Sequence, residues 1–228
     1  MKRLIGLVIV GVCFSFGFGF AVRAHDVITT KLTWDREISR IVLLRCAGCH
    51  HPGGRAFSLM TYAEARPWAV AIKEEVLFRR MPPWGAVKGF GEFRNDVGLT
   101  GEQIEWITAW VVGGVPEGDA ADLEANPKIP EAVPPISRKG ELVISGDLRL
   151  GREFTVDGLL PLTVPDSTSM QVIATLPDGR VEPLLWLYEY KALFAHPFLL
   201  RTPLKLPRGT VISGVPRTSK IALLPVAP

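Results

Sequence analysis

The amino-acid sequence predicts an α+β protein in which a small all-α domain is followed by a small antiparallel β-sandwich domain. Apolar residues recur at helical spacing over residues 33–117, whereas short β-prone runs alternate with Gly, Pro and Asp turns over residues 141–225. A proline-rich stretch between these regions is expected to be an extended linker. The predicted boundaries are 25–117 for the helical domain, 118–139 for the linker and 140–228 for the β domain.

The N-terminal segment is typical of a signal peptide. Lys2 and Arg3 precede an apolar stretch over residues 4–22, and Val22-Arg23-Ala24 supplies a small-residue cleavage pattern. We expect residues 1–24 to be removed during export to the periplasm. An uncleaved membrane anchor is the alternative, because the apolar stretch is close to the roughly 20 residues that span a bilayer.

The charge balance of the chain does not favour nucleic acid as a partner. The full sequence carries a formal charge of +3, but Lys2, Arg3 and Arg23 lie in or beside the predicted signal peptide. Without them, 23 basic residues face 23 acidic residues. Such a chain has no cationic surplus for a phosphate backbone.

Three helices are predicted in the first region, at residues 34–45, at residues 62–79 and from Thr100 onward. Thr100 and Gln103 provide capping-box chemistry, and Gly113-Gly114 ends the third helix. The apolar positions are Ile38, Ile41, Val42 and Leu44 in the first helix, Ala65, Trp68, Ala69, Ile72, Val76 and Leu77 in the second, and Ile104, Ile107, Trp110 and Val111 in the third. Three helices pack thinly over about 85 residues, so we expect a large prosthetic group to supply apolar contact.

Six runs in the second region are predicted strands. They are residues 142–144, 154–156, 170–176, 184–188, 198–202 and 211–215. Pro177-Asp178-Gly179 separates two of them and predicts a tight turn, because Pro fixes φ and Gly accepts positive φ. A small antiparallel sandwich is the architecture that this pattern favours.

The clearest chemical signal is Cys46-Ala47-Gly48-Cys49-His50. After signal cleavage Cys46 and Cys49 are the only cysteines, in an oxidising compartment that would otherwise couple free thiols. Two thiols at this spacing can add to the two vinyl groups of one haem, while the next residue presents an imidazole to the iron. The motif predicts one covalent haem c with His50 as the proximal ligand.

Three other uses of the cysteine pair stay open. A thioredoxin-like redox pair would require a strand-to-helix turn in a βαβ context, whereas the surrounding pattern is helical. A structural zinc site would require four ligands, and the sequence offers Cys46, Cys49 and one adjacent histidine. A plain disulfide would leave His50 without a role.

The candidates for the sixth iron position are Met60, Met81, His51, His196, water or no ligand. Met81 is favoured because Arg80-Met81-Pro82-Pro83-Trp84 places two prolines in a stiff, extended loop that can hold a thioether over a haem face. A packed methionine at a helix end is the alternative interpretation.

Other residues near the motif are expected to have structural roles or to be exposed. Met60 is expected to be a core residue beside Leu59, and His51 is expected to be exposed because it cannot reach across the ring. Four aromatic residues are expected either to line the haem pocket or to pack in the general core: Tyr62, Trp68, Trp84 and Phe90.

His/Met ligation would close both axial positions of the iron and raise its reduction potential relative to bis-His ligation. A closed iron transfers electrons, so we expect an electron carrier between redox partner proteins rather than an enzyme. One alternative is the electron-entry haem subunit of a larger membrane or periplasmic oxidoreductase complex. A second alternative is a haem-based ligand sensor with an open sixth position.

Several short motifs accompany the haem motif: His51-Pro52-Gly53, Ala65-Arg66-Pro67-Trp68, Met81-Pro82-Pro83-Trp84, Gly91-Glu92-Phe93 and Ala109-Trp110. Together they resemble the cytochrome c domain of large exported bacterial proteins, which is often joined to a type II copper, ascorbate-dependent monooxygenase-like domain. The resemblance implies haem attachment at Cys46 and Cys49, with His50 proximal and Met81 distal.

The second region resembles part of that monooxygenase-like domain, over residues 170–174, 177–180 and 203–210. The family's histidines should fall just before Met170 and just after Thr210. This chain has Leu162-Thr163-Val164-Pro165 and Val211-Ile212-Ser213-Gly214 there, and His196 cannot hold copper alone. We therefore expect no copper, no monooxygenase activity, and a β domain that serves as a docking or structural module.

Overall fold

The computed structural model describes residues 30–125 and 136–226 of the chain. The predicted signal peptide at 1–24 and the centre of the predicted linker lie outside these residues. The fold combines short helices with two four-stranded antiparallel sheets, which confirms the predicted α+β class. In the described ranges no helix has the length and apolar character needed to cross a bilayer.

The helices of the N-terminal part are short. A π-helical turn at Trp34–Ile38 leads into α1 (Ser39–Arg45), and α2 (Tyr62–Ala65) leads through a 3-10 turn at Arg66–Trp68 into α3 (Ala69–Leu77). The second predicted helix is thus divided, because Pro67 cannot donate the backbone hydrogen bond of an α-helical residue. The last of these helices is α4 (Gly101–Val112).

Side-chain caps fix where α2 and α4 begin. The Thr100 hydroxyl accepts from the Gln103 amide at 3.1 Å, and the Gln103 side chain accepts from the Thr100 amide at 3.0 Å. Thr61 and Glu64 form the same reciprocal cap on α2. The start of the third predicted helix is therefore confirmed, together with its physical cause.

The helices enclose a small core centred on Trp34 and Trp110, whose rings lie 6.0 Å apart. The Trp110 indole donates to the Pro116 carbonyl at 2.9 Å, so the buried nitrogen is satisfied. Three residues predicted to face this core, Leu44, Trp68 and Leu77, are exposed instead. Ile38, Ile41 and Val42 are buried as predicted, and Leu43 is buried whereas its neighbour Leu44 is not.

The C-terminal part contains eight strands in two sheets. One sheet has the order β1-β8-β3-β6 and the other has the order β2-β7-β4-β5, and all the pairings are antiparallel. The strands are β1 (Leu142–Ile144), β2 (Leu148–Arg149), β3 (Phe154–Thr163), β4 (Met170–Thr175), β5 (Val181–Leu187), β6 (Phe198–Leu206), β7 (Val211–Ser213) and β8 (Lys220–Pro225). Both sheets contribute to one buried apolar cluster, which makes this part a sandwich.

Two strands were not predicted from the sequence, β2 and β8. β8 is central in its sheet, between β1 and β3, and its residues Ile221, Ala222, Leu223 and Leu224 are all fully buried. A strand buried on both faces has no polar and apolar alternation, so periodicity alone does not identify it. β2 has only two residues.

The segment between α3 and α4 is built into the sandwich. Trp84, Ala86 and Phe93 belong to the sandwich core, although they lie within the predicted helical domain. The Val87 amide donates to Trp186 of β5 at 2.9 Å, and the Arg94 amide donates to Leu199 of β6 at 2.9 Å. This segment therefore covers the edge strands of both sheets on one side, which protects their unpaired backbone groups.

Replacing Leu223 in β8 by Ala should lower the free energy of unfolding by about 2–5 kcal/mol, since the side chain is fully buried between neighbouring strands. Val143→Ala in the adjacent β1 is the control. Val143 is 46% exposed, so the loss there should stay below about 1 kcal/mol. Urea denaturation followed by tryptophan fluorescence measures both values, and equal effects would contradict the central position of β8.

Candidate functional site

The Cys-His motif forms a tight turn at the carboxyl end of α1. The Cys46 amide donates to Val42 at 2.8 Å, and the Cys49 and His50 amides both donate to the Cys46 carbonyl, at 3.1 and 2.9 Å. These bonds hold both cysteines and the histidine in one compact structure. Cys46 packs partly buried against the helical core, whereas Cys49 is exposed.

Both cysteines are free thiols, so the structure does not contain the disulfide that stayed open as an alternative. Burial raises the pKa of the Cys46 thiol to about 12, against a smaller lowering by Arg45. Thiols in redox-active Cys-x-x-Cys motifs have lowered pKa values, because the thiolate is the reactive form. The environment of Cys46 thus argues against a thioredoxin-like pair.

The ring of His50 is held by a backbone carbonyl. Its Nδ1 lies 2.9 Å from the Phe57 carbonyl oxygen. A carbonyl only accepts hydrogen bonds, so Nδ1 carries the donated hydrogen, and in the neutral ring the lone pair lies on Nε2. This is the arrangement that orients a metal-ligating histidine in proteins, with one nitrogen fixed and the other ready to bind.

The loop that supplies this carbonyl is itself tied to the motif. The Ala56 amide donates to the Cys49 carbonyl and the Leu59 amide donates to the His50 carbonyl, each at 3.2 Å. Leu59 is buried in the helical core and anchors the end of the loop. The position of the His50 ring therefore depends on the return of the chain at residues 56–59.

Two aromatic side chains beside His50 are left half exposed. The Phe57 ring meets the His50 ring edge-on at 5.0 Å and stacks on Trp68 at 4.3 Å. Phe57 is 48% exposed and Trp68 is 45% exposed. An apolar surface next to a histidine ready for ligation is where a flat apolar group would gain contact area.

The other three aromatic residues expected near the haem lie elsewhere. Tyr62 packs on the helical core and its hydroxyl donates to Val115 at 2.8 Å. Trp84 is in the sandwich core, and Phe90 packs edge-on against Trp186 at 5.8 Å. For these three residues the structure favours general core packing over a place beside His50. Their neighbours are set by contacts distant in sequence, not by their closeness to the haem motif in the chain.

Phe57 was not singled out from the sequence. The available signal was a lone aromatic residue seven positions after His50, in a segment rich in Gly, Pro and polar residues. Such a residue has no helical or strand neighbour to pack against within its own segment. It is therefore a candidate for contact with a ligand or a distant element.

Met81 lies just after α3 and is partly buried. The Arg80 guanidinium binds both carboxylate oxygens of Glu75, at 2.7 and 2.8 Å, and the Met81 amide donates to the Glu75 carbonyl at 3.3 Å. Met60 is also only partly buried and is outside both core clusters, so its predicted role as a core residue is wrong. Leu59 fills the core in its place.

The two other histidines proposed as ligands have different surroundings. His51 is partly buried rather than exposed, with its Nδ1 3.0 Å from the Pro52 carbonyl. His196 stacks on Trp84 at 5.1 Å, and its Nδ1 lies 2.7 Å from the Phe194 carbonyl. The His196 Nε2 is buried without a hydrogen-bond partner, and burial lowers its pKa. His196 is thus partly buried as a residue, with its Nδ1 at a backbone carbonyl and its Nε2 unpartnered.

In residues 30–125 and 136–226, the Cys-His turn included, no three His, Cys, Asp or Glu side chains form a group that would hold a metal ion by themselves. The zinc alternative therefore has no ligand set in these residues.

Comparison of the chain with known protein families, curated proteins and solved structures gives no match. The chemistry of the site therefore follows from its own residues.

The two thiols should differ in reactivity before anything is attached to them. At pH 8 a thiol of pKa about 12 is only about one part in ten thousand thiolate, so Cys46 should react with iodoacetamide at least about tenfold more slowly than Cys49. The measurement compares haem-free Cys49→Ser, which leaves Cys46, with Cys46→Ser, which leaves Cys49.

The double serine variant gives the background rate, including that of Cys13 wherever the predicted signal peptide is retained. Between pH 8 and pH 10 the Cys46 rate should rise about tenfold per pH unit, because the thiolate fraction does so below the pKa. Equal rates for the two single variants would show that Cys46 is not buried as described.

Proposed function

We propose that this protein is an exported c-type cytochrome that carries one covalent haem and transfers single electrons between redox partners. The observation that carries the proposal is the arrangement of His50: its Nδ1 is fixed by the Phe57 carbonyl, its Nε2 lone pair is available, and two free thiols precede it in one turn. Cys46 and Cys49 would attach the haem and His50 would ligate its iron.

Attachment requires both cysteines in the thiol form. Each S–H adds across one vinyl C=C bond: sulfur bonds to one vinyl carbon, the hydrogen goes to the other, and the π bond is lost. No oxidant is consumed, and the two free thiols of this structure are the reactants that the step needs. A disulfide between Cys46 and Cys49 would block it.

The haem, when bound, would supply one-electron chemistry between ferric and ferrous iron. The hydrogen bond from Nδ1 to Phe57 orients the imidazole and increases its strength as a ligand. Phe57 and Trp68 would limit water on the His50 side by burying their exposed faces. The Met81 thioether, as the second protein ligand, would leave the iron closed to substrates and favour the ferrous state.

The proposed setting is the periplasm, in agreement with a leader at residues 1–24 and with haem attachment outside the cytoplasm. Donor and acceptor would be proteins that dock briefly near the haem, alone or within a larger oxidoreductase complex. We propose no copper chemistry for the sandwich, because residues 162–165 and 211–214 contain no His, Cys or Met.

Changing both Cys46 and Cys49 to Ala should remove all covalent haem from the full chain expressed in a host competent in cytochrome maturation. Each single variant should keep one thioether. The readout is peroxidase staining of a denaturing gel, with equal loading checked by total protein. Stain of wild-type strength in the double variant would refute attachment at this pair.

Met81→Ala should abolish the near-infrared charge-transfer band of the ferric protein, because that band requires a methionine sulfur on the iron. Met60→Ala is the matched control, a partly buried methionine outside both cores, and should keep the band. Loss of the band in Met60→Ala alone would transfer the role to Met60. Rapid carbon monoxide binding by the reduced wild type would instead support the sensor alternative.

A further inference from the structure

The loop that carries Met81 ends inside the sandwich, so the β domain can determine where this loop lies. We infer that the sandwich is the scaffold that holds Met81 in place, with Trp84 and His196 as positioning residues. The inference rests on the proposed haem ligation and extends it, since it assigns a function to a domain that otherwise lacks one.

Trp84 is the anchor of the loop. It is 5% exposed, stacks on His196 at 5.1 Å, and meets Phe198 and Phe93 edge-on at 5.0 and 5.8 Å. Phe93 and Phe198 are themselves core residues of the sandwich. Four rings from two segments distant in sequence thus form one cluster, and the indole cannot shift without disturbing the others.

The link from Trp84 to Met81 is short and stiff. Only Pro82 and Pro83 separate them, and each has a fixed φ. Three residues span at most about 11 Å, so the place of the indole limits where the Met81 sulfur can go. Displacement of Trp84 would therefore be passed on to Met81.

Both ends of the loop are fixed by further contacts. On the α3 side, the paired hydrogen bonds of Arg80 to Glu75 secure the residue before Met81. On the sandwich side, the Gly85 carbonyl accepts from Tyr188 at 2.9 Å and the Val87 amide donates to Trp186 at 2.9 Å. Met81 is held between a helix end and a sheet edge.

His196 contributes its ring rather than its basicity. The ring contacts both Trp84 and Phe198, at 5.1 and 4.6 Å, and Nε2 has no partner. A phenyl ring in this position would keep the stacking and remove the unsatisfied nitrogen. Truncation to Ala would leave a cavity beside the indole and free it to move.

The experiment uses the full haem-loaded chain and compares Trp84→Ala, His196→Ala, His196→Phe and Leu206→Ala. Leu206 is the matched control: it is fully buried in the same core, but lies at the other end of β6 from Phe198, roughly 26 Å away at about 3.3 Å per residue. The readouts are the near-infrared band of the ferric protein and carbon monoxide binding to the ferrous protein.

Trp84→Ala and His196→Ala should keep covalent haem and lose most of the band. They should also bind carbon monoxide about tenfold faster or more, because the state in which Met81 is off the iron becomes more populated. His196→Phe and Leu206→Ala should retain the wild-type band. If Trp84→Ala does not fold, His196→Ala against His196→Phe makes the same comparison.

Two outcomes would overturn the inference while haem attachment stands: a full band in His196→Ala and Trp84→Ala, or an equal loss of the band in Leu206→Ala, which would show a general effect of stability. A wild-type protein with no covalent haem would overturn the proposed function, and the inference with it.

Discussion

The insertion of residues 84–94 into the sandwich is the constraint on which the rest of the structure depends. Trp84, Ala86 and Phe93 are core residues of the sandwich, while α3 precedes them and α4 follows them in the chain. The helices and the sheets are therefore joined by buried apolar contact and backbone pairing, not only by the linker at 118–139. A loop with such anchors has few conformations left, and this suits a loop that is to present a ligand.

The Cys-His turn is built differently, from backbone hydrogen bonds close in sequence, with Cys46 and Leu59 packed on the helical core. The end of α1 sets the spacing of the two thiols, and the carbonyl of Phe57 decides which imidazole nitrogen is free. Proximal ligation would thus belong to the helical part, whereas distal ligation would depend on the sandwich. Under the proposed function, this division would give the sandwich a structural task.

Local signals predicted most of the elements. Thr100 with Gln103 fixed the start of α4, and Pro177-Asp178-Gly179 forms the β4–β5 turn, with Gly179 at φ 87° and its amide bonded to Leu176. β8 was not predicted, because a strand buried on both faces has no alternation of polar and apolar residues. The packing of Trp84 was not predicted for another reason: its partners His196 and Phe198 are distant in sequence, and spacing carries no information about such contacts. Phe57 was not predicted because its segment has no helical or strand periodicity. The thiols and imidazole were predictable since they lie within five consecutive residues.

The intact mass of the exported chain, purified from a host that attaches haem c, tests the central claim most directly. Attachment of one haem through both thiols adds the whole mass of the porphyrin and its iron, because addition of S–H across a vinyl group expels no atom. The account predicts that mass increase for the wild type, stable to acid and denaturant. A coloured or colourless protein with the mass of the bare polypeptide would contradict it.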